Sequence, residues 1–564
     1  MRIKPVNPQT KKSPQPVQLS TTKIFAALLL TAFVFRLLLL KFRFAVAFDE
    51  VNYLKLGISG HLNGMVETLH TYWSPFLPWL ISLFCSFTKN YELAGRLVSV
   101  IAGTLLVLPV YFLGRLVYDK TVGLVAAAFV ALFPPLAFQS TLILTEATYT
   151  LLAALAIYTG WKMLKRYSIA AAALSGMLAG CLYLTRPEGI GFLFIFIGWL
   201  LAGCLAKIFL IKPLRLAYQL VALNVGFVVV AAPYLLFLKS NTGSWTISAK
   251  GAANLQMDTP EDGSRPSFRS LNESNTAVPI DEVFHLGNFL KPQAPGQDGA
   301  VTKVSWQALA GKYLRNLYDL IKTAIPSFLT MLPLMLLGAG LFGSSWKWGQ
   351  GWKNFYFLSF VAFYWFLVVP LFHINARYLA PMWPLCALWI ANGVNVFFTW
   401  MKNHESLFKF AKMKKLQPAI VAATLLLALS MVFSFLPELG RIVARDLNST
   451  DRWADAIELK EAGIWLKQNA DSEIVIMSRN HVVDYYAGNY NIRESVTIPE
   501  NGLDRVLSYA RNRGVNYLVV NERYRNDYPL LGFLLDNPEA PAGLELVYEN
   551  KHASGLKMII FKVL

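Results

Sequence analysis

The chain is poor in charge. Only 15% of its 564 residues are Asp, Glu, Lys or Arg, whereas 55% are hydrophobic, and mean hydropathy is +0.43. A soluble domain cannot cover that much apolar sequence, so the composition excludes a purely water-soluble protein and indicates a polytopic membrane protein. Cysteine is equally scarce. Cys85, Cys181, Cys204 and Cys386 lie in apolar segments without metal-ligand spacing, which excludes a disulfide framework and reads as buried free thiols. No Asp-x-Asp sequence occurs. No small-residue cleavage site follows the first apolar run, so no cleavable signal peptide is expected. Acidic residues are outnumbered 34 to 52 by basic ones, giving a net charge of +18. That excess does not indicate nucleic-acid binding, because the basic residues sit in short clusters between apolar runs, the topology signal of membrane proteins.

What is present is a series of long apolar runs. A polar, basic tail, residues 1–22, is expected to be disordered and cytoplasmic, so the first run, Ile24 to Leu40, leads outward. Arg36 within it either snorkels to the surface or faces a polar cavity. Further runs follow at Leu93–Leu113, Val122–Phe138, Ala147–Tyr158, Ile169–Leu184, Ile190–Leu205 and Leu220–Leu238. Four more lie at Ile325–Phe342, Phe355–Phe372, Leu379–Phe398 and Ile420–Leu436. Taken together they predict about eleven transmembrane helices with every inside loop basic, and a membrane domain over residues 23–437. The setting is the plasma (inner) membrane, crossed many times.

Two outside loops stand apart. The first, residues 42–92, has a broken pattern from Val51 to Lys89, and its apolar run ending near Phe87 is too short to cross, which reads as an interfacial or re-entrant helix. The second, residues 239–318, is far longer than an ordinary connection and is expected to be functional or partly folded. Residues 438–564 read as a small extracytoplasmic α/β domain. Helices are predicted at Trp453–Gln468 and Leu503–Arg513, with strands at Ile474–Met477, Tyr517–Val520, Leu544–Tyr548 and Leu556–Phe561. Asp484-Tyr485-Tyr486 in this domain reads as a packed helix, with contact to a sugar as the alternative.

This topology collects polar residues on the outer side: Asp49, Glu50, Tyr72, Glu146, Arg186, Glu188, His373, Arg377 and Tyr378. Singly, each has an ordinary reading as an interface anchor, a helix-terminal carboxylate or a solvated loop residue. Jointly, carboxylates opposite Arg, His and Tyr suit removal of a group from an anionic phosphate. One carboxylate takes a proton from an acceptor hydroxyl while the cations stabilise the departing phosphate.

The pattern Asp49-Glu50 followed by Tyr53 resembles the Asp-Glu-x-x-Tyr signature of the first external loop in GT-C glycosyltransferases, in particular the protein O-mannosyltransferases and the lipid A aminoarabinose transferases. Tyr72-Trp73-Ser74-Pro75 resembles the family's aromatic-proline segment, and Ala94 to Ser99, including Arg96, resembles the start of its second span. Thr145-Glu146 is similar to the second acidic position, Leu184 to Gly189 to the turn carrying Arg186 and Glu188, and Arg377 to Pro381 to a later Arg-Tyr turn. The resemblance implies a GT-C fold and transfer of a hexosyl or pentosyl group, with inversion. The sugar would pass from a polyprenyl-phosphate donor to a lipid, glycan or protein hydroxyl at the extracytoplasmic face.

On that resemblance Asp49 is the base or acceptor-orienting carboxylate and Glu50 supports it. Tyr53, Tyr72, Arg96, Glu146, Arg186, Glu188, His373, Arg377 and Tyr378 hold the donor phosphate or substrate. Ser74 stands where some relatives carry a phosphate-binding lysine, a contact left to Lys41 or Arg43. No metal site is indicated; the space between Asp49 and Glu146 is the one place open to a divalent cation. The alternatives are a polysaccharide polymerase or ligase, which shares the donor, and a lipid or solute transporter or flippase, which calls for midplane charges and internal repeats.

Overall fold

A computed structural model describes residues 21–206, 212–248, 250, 306–328, 331–343, 348–372, 374–403, 440, 455–471, 473–536, 539–551 and 556–564. The first eleven helices are α1 (Thr21–Leu39), α2 (Phe48–Asn63), α3 (Phe76–Cys85), α4 (Tyr91–Leu105), α5 (Val107–Val117), α6 (Lys120–Leu132), α7 (Pro134–Gln139), α8 (Thr145–Arg166), α9 (Ile169–Thr185), α10 (Ile190–Leu205) and α11 (Pro213–Thr242). Helices at Trp306–Asp319, Met331–Phe342, Trp348–Val361 and Trp383–Asn403 complete the described bundle.

Six described helical stretches are long and apolar enough to cross a membrane: 22–42, 91–117, 187–205, 213–242, 351–371 and 377–401. Shorter apolar helices at 76–85, 120–132, 169–185 and 331–342 stand among them. The protein is therefore a multi-pass membrane protein. The expected span at Ile420–Leu436 and the tail before residue 21 lie outside the described residues. Where a lipid-facing side is needed, α11 supplies it: Val221, Val225, Val228, Val229 and Leu236 are all more than half exposed. Its opposite face meets α9 so closely that a Cβ on Gly176 would sit 1.9 Å from the carbonyl oxygen of Leu223, and one on Gly226 would sit 2.3 Å from that of Ala173. Small residues thus let two backbones touch, as membrane helices require when no hydrophobic effect drives them together.

Arg36 faces inward. It is fully buried and donates from Nη1 to the carbonyls of Ala32 (3.1 Å) and Ala131 (3.0 Å) and from Nη2 to that of Val130 (3.3 Å). The reason is in the sequence. The carbonyls of Val130 and Ala131 should accept from residues 134 and 135, which are both proline and have no N–H. Arg36 supplies the missing donors. The same prolines split the expected run Val122–Phe138 into α6 and α7.

The broken stretch after the first span contains α2, which periodicity did not reveal. Its flanks mix Lys55, Asn52 and Ser59 with apolar residues, yet residues 50–60 are all buried. A helix enclosed on every side has no amphipathic stripe to read. The expected short helix ending near Phe87 is α3, which buries Leu77, Ile81 and Cys85 and exposes Leu83, an interfacial pattern. Cys181 and Cys204 are partly rather than fully buried, and all four cysteines are free.

The C-terminal region forms a five-stranded sheet, with β1 (Ile476–Ser478), β2 (Val496–Thr497), β3 (Tyr517–Asn521), β4 (Leu544–Lys551) and β5 (Lys557–Val563) in the order β2-β1-β3-β5-β4. β1 is parallel to β2 and β3, and β5 is antiparallel to β3 and β4. Helices Ile457–Asn469 and Leu503–Asn512 match the expected ones, and Asp484 to Tyr486 lie in the packed helix Val482–Ala487. β2 was not expected, since two residues are too few to show alternation. One hydrophobic core joins this domain to the first loop: Val51, Leu54, Leu77 and Val98 are in the same cluster as Met477, Val519 and Ile560.

Candidate active site

Antiparallel helices bring the beginning of α2 and α8 and the end of α9 to one end of the bundle. Asp49 and Glu50 occupy the first turn of α2, where negative charge is favoured. Adjacent residues on a helix point about 100° apart, and the two carboxylates have different surroundings. Asp49, 23% exposed, lines a cavity of about 630 Å³. Glu50 is fully buried behind it, accepting from the N–H of Ala47 (2.8 Å) and from that of Ile143 (2.8 Å).

Arg186 reaches the cavity because Pro187 forces the residue before it out of the helix; its backbone is extended (φ −152°, ψ 134°) at the end of α9. Arg377 lies at the start of a 3₁₀ turn, Ala376–Met382, whose Asn375 side chain accepts from the Arg377 N–H (3.0 Å). Glu146, the second residue of α8, stands between the two guanidiniums. Its Oε1 is 3.6 Å from Arg377 Nε and 3.8 Å from Arg186 Nη1. Arg377 Nη2 is 3.3 Å from Asp49 Oδ2 and 3.0 Å from the Tyr378 hydroxyl, and Arg186 Nε is 2.7 Å from Glu188 Oε1. The buried Glu146 Oε2 and Arg186 Nη1 make no hydrogen bond. Buried polar atoms without partners are expensive, and here two of opposite sign line one cavity.

The cavity's other wall is apolar, made by Ile190, Phe194, Phe363, Val368, Leu371 and Phe372. Tyr53, Ser74, Glu188 and Tyr378 line it with Asp49, Glu146, Arg186 and Arg377. Tyr72 stands outside the lining, buried against Trp73 with ring centroids 4.9 Å apart. Arg96 is a correction to the sequence expectation. It is buried behind the cavity, donating to Glu92 (2.7 Å) and to the carbonyls of Thr141 (2.8 Å) and Ala45 (3.0 Å), with Glu50 at 3.7 Å. Its four-way pairing leaves it holding loops together. His373 lies outside the described residues. Arg43 does not replace the absent lysine at Ser74, since it pairs with Asp455.

The structure brings another lysine, Lys250, to the cavity. It lines the cavity, with Nζ 4.7 Å from the Trp73 ring centroid and 5.2 Å from that of Tyr72. Its segment is fixed by Gly243, left-handed at φ 73° to end α11, and by the Tyr183 hydroxyl donating to the Ile247 carbonyl (2.9 Å). Burial holds the ammonium below the ordinary lysine range, opposed by Asp49. Sequence reasoning missed Lys250, since the loop 239–318 also carries Lys239, Lys291, Lys303 and Lys312 and nothing in the sequence sets one apart. His70 was missed as well. Its Nδ1 accepts from the N–H groups of Tyr72 (3.0 Å) and Trp73 (3.2 Å), fixing the aromatic segment.

A larger cleft, about 1000 Å³, lies between the far end of α2 and the sheet domain. It is lined by Asn63, Asn489, Asn516 and Tyr490 with Lys467, Asp471, Glu473 and Glu494, and includes none of the arginines that converge on the smaller cavity. Among the described residues no group of three or more His, Cys, Asp or Glu side chains is placed to hold a metal ion. Between Asp49 and Glu146, where a cation was left open, the Arg377 guanidinium stands instead.

Residues 72–236 match the family described as dolichyl-phosphate-mannose-protein mannosyltransferase. Among solved structures, ArnT from Cupriavidus metallidurans bound to undecaprenyl phosphate aligns over 96% of this chain and 98% of its own, with a TM-score of 0.58 and 12% identity. The oligosaccharyltransferase AglB from Archaeoglobus fulgidus, in complex with an inhibitory peptide and a dolichol-phosphate, aligns over 89% of this chain and 70% of its own, with a TM-score of 0.54 and 14% identity. The chain has the GT-C fold. A search of curated protein sequences found no match. At such identities the likeness carries the GT-C architecture and leaves individual residues to be argued from their geometry.

Proposed function

We propose that this protein is an integral-membrane glycosyltransferase that moves a sugar from a polyprenyl-phosphate donor to an acceptor hydroxyl at the extracytoplasmic face. The observation that carries this reading is Arg377 set between Asp49 and Glu146, beside Arg186, at the polar end of a cavity whose other wall is apolar. A polyprenyl phosphate has the same two halves. Its chain suits the wall of Phe194, Phe363 and Phe372, and its phosphate suits Arg186, Arg377 and Lys250. The ArnT and AglB structures hold lipids of that class, and both support this choice of donor.

In the reaction the acceptor oxygen attacks the anomeric carbon and the bond from that carbon to the phosphate oxygen breaks. The acceptor proton passes to Asp49, and the leaving phosphate keeps the electron pair and is stabilised by the cations. Glu146 orients the two arginines, and Tyr53 and Tyr378 border the sugar. Glu50 is a positioning residue, since it fixes the start of α2. A divalent ion between Asp49 and Glu146 would have to displace the Arg377 guanidinium, which already supplies positive charge there. With one carboxylate on the acceptor side, the displacement inverts the anomeric centre; proton NMR of the product reads this, and a retained configuration overturns it.

Binding tests the donor directly. Protein in lipid nanodiscs should bind polyprenyl phosphate saturably, and Arg377→Ala should weaken it by about 1.5–3 kcal/mol, on the order of 10–100-fold in Kd. Equal affinity in the two proteins contradicts the assignment.

A further inference from the structure

The sheet domain carries no described cluster that resembles a second catalytic site, yet its side chains converge on the four residues that lead into α2. Between the end of the first span and Ala47, residues 43–46 run without helix or strand, and beyond the Arg43 N–H, which donates to the Leu40 carbonyl (3.1 Å), they need backbone partners from elsewhere. Asp455, fully buried, accepts from the N–H groups of Phe44 (2.7 Å) and Ala45 (3.3 Å) through Oδ2, and pairs through Oδ1 with Arg43 (2.5 Å). Tyr486 accepts from the Val46 N–H (3.1 Å) and donates to Glu92 (2.9 Å), and Lys460 donates to the Phe44 carbonyl (2.7 Å). A second grip lies farther along α2, where buried Lys55 donates to Ser495 (2.6 Å).

These contacts come from one domain and end three residues before Asp49. We infer that the sheet domain is a positioning device for the transfer reaction: Asp455, Tyr486 and Lys460 fix segment 43–46, and through it the placement of Asp49 relative to Arg377. The three are positioning residues, with no contact to the cavity. Segment 43–46 has no regular structure of its own, so its path depends on these partners together with Arg96, which donates to the Ala45 carbonyl (3.0 Å). A shift of about 1 Å at a reacting group costs on the order of 100-fold in rate. The donor phosphate, held by Arg186, Arg377 and Lys250 on other segments, is not moved by the same change. The clamp therefore acts on turnover and leaves donor affinity alone, which a domain that merely adds stability does not do.

This inference rests on the transferase reading, and the experiment separates the two. Sugar transfer from a radiolabelled polyprenyl-phosphate sugar to acceptors in native membranes is measured for wild type, Tyr486→Phe, Asp455→Ala and Asp455→Asn. Asp527→Asn serves as control, because it breaks the Arg479–Asp527 pair (2.8 Å) inside the sheet domain without touching segment 43–46. Tyr486→Phe and Asp455→Ala should lower kcat by about 10–100-fold with donor KM within about twofold. Asp455→Asn, which keeps the acceptor for the two N–H groups, should recover much of the loss. Asp527→Asn should lower melting temperature and leave kcat near wild type. A kcat loss in Tyr486→Phe no larger than in the control, or a change confined to KM, overturns the clamp. No transfer by wild type overturns the transferase reading itself. Tyr486→Phe removes a single hydroxyl, so it decides the matter even where Asp455→Ala fails to fold.

Discussion

The protein uses arginine–carboxylate pairs in two places and builds them differently. In the sheet domain Arg523 grips Glu458 with two short bonds (2.6 and 3.0 Å), each side chain almost fully buried. In the cavity Arg377 and Arg186 stand 3.3–3.8 Å from Asp49 and Glu146, and those groups retain some exposure. The first geometry is closed. Its charges are satisfied, and breaking it leaves a buried charge unpaired. The second is open: Arg377 bonds Asp49 at the long end of hydrogen-bond range (3.3 Å), Glu146 stands beyond reach of both arginines (3.6 and 3.8 Å), and with orphaned atoms on Glu146 and Arg186 it holds charge ready for a group that arrives. Closed pairs maintain a fold, and open pairs await a ligand.

The comparison can be broken from either side. Glu458→Ala should destabilise the sheet domain by about 3–5 kcal/mol by taking the carboxylate from a buried Arg523, read as a lowered melting transition in detergent. A variant as stable as wild type would erase the distinction. A smaller effect is expected at Lys250. Lys250→Met should raise the donor KM about tenfold, as loss of one bond to a charged group does, with little change in kcat. Because burial lowers the Lys250 pKa, the phosphate contact is present while the ammonium is protonated and is lost as pH rises through that lowered value. Wild type should therefore lose donor affinity on the alkaline side before an ordinary lysine would titrate, and Lys250→Met should lack that limb. An identical pH profile in both removes Lys250 from the phosphate site.

How much of this was legible beforehand follows from the physics of each signal. A multi-pass helical bundle was, because bilayer thickness imposes long apolar runs, six of which stand as long apolar helices among the described residues, and so was the order of charged turns at Asp49, Glu146, Arg186 and Arg377. The structure brings those four together around one cavity. The strands β3, β4 and β5 showed as apolar segments, whereas the two-residue β2 gave no pattern. Helix α2 was illegible because it is buried on all sides and carries Lys55 and Asn52 inside. Arg96 looked like a site residue from its neighbours in sequence, but besides Glu92, one turn back on α4, its partners Thr141 and Ala45 come from loops that only the folded chain assembles. Lys250 and Asp455 were missed for the same reason: each acts on segments far away in sequence.

The central claim is that Asp49 takes the acceptor proton while separate residues hold the donor phosphate. Asp49→Asn preserves shape and removes the base. In membranes supplied with radiolabelled polyprenyl-phosphate hexoses and pentoses, the account predicts that this variant binds donor within about twofold of wild type and loses turnover on the order of 10²–10⁴-fold. Turnover within several-fold of wild type, in folded protein that still binds the donor, would contradict it.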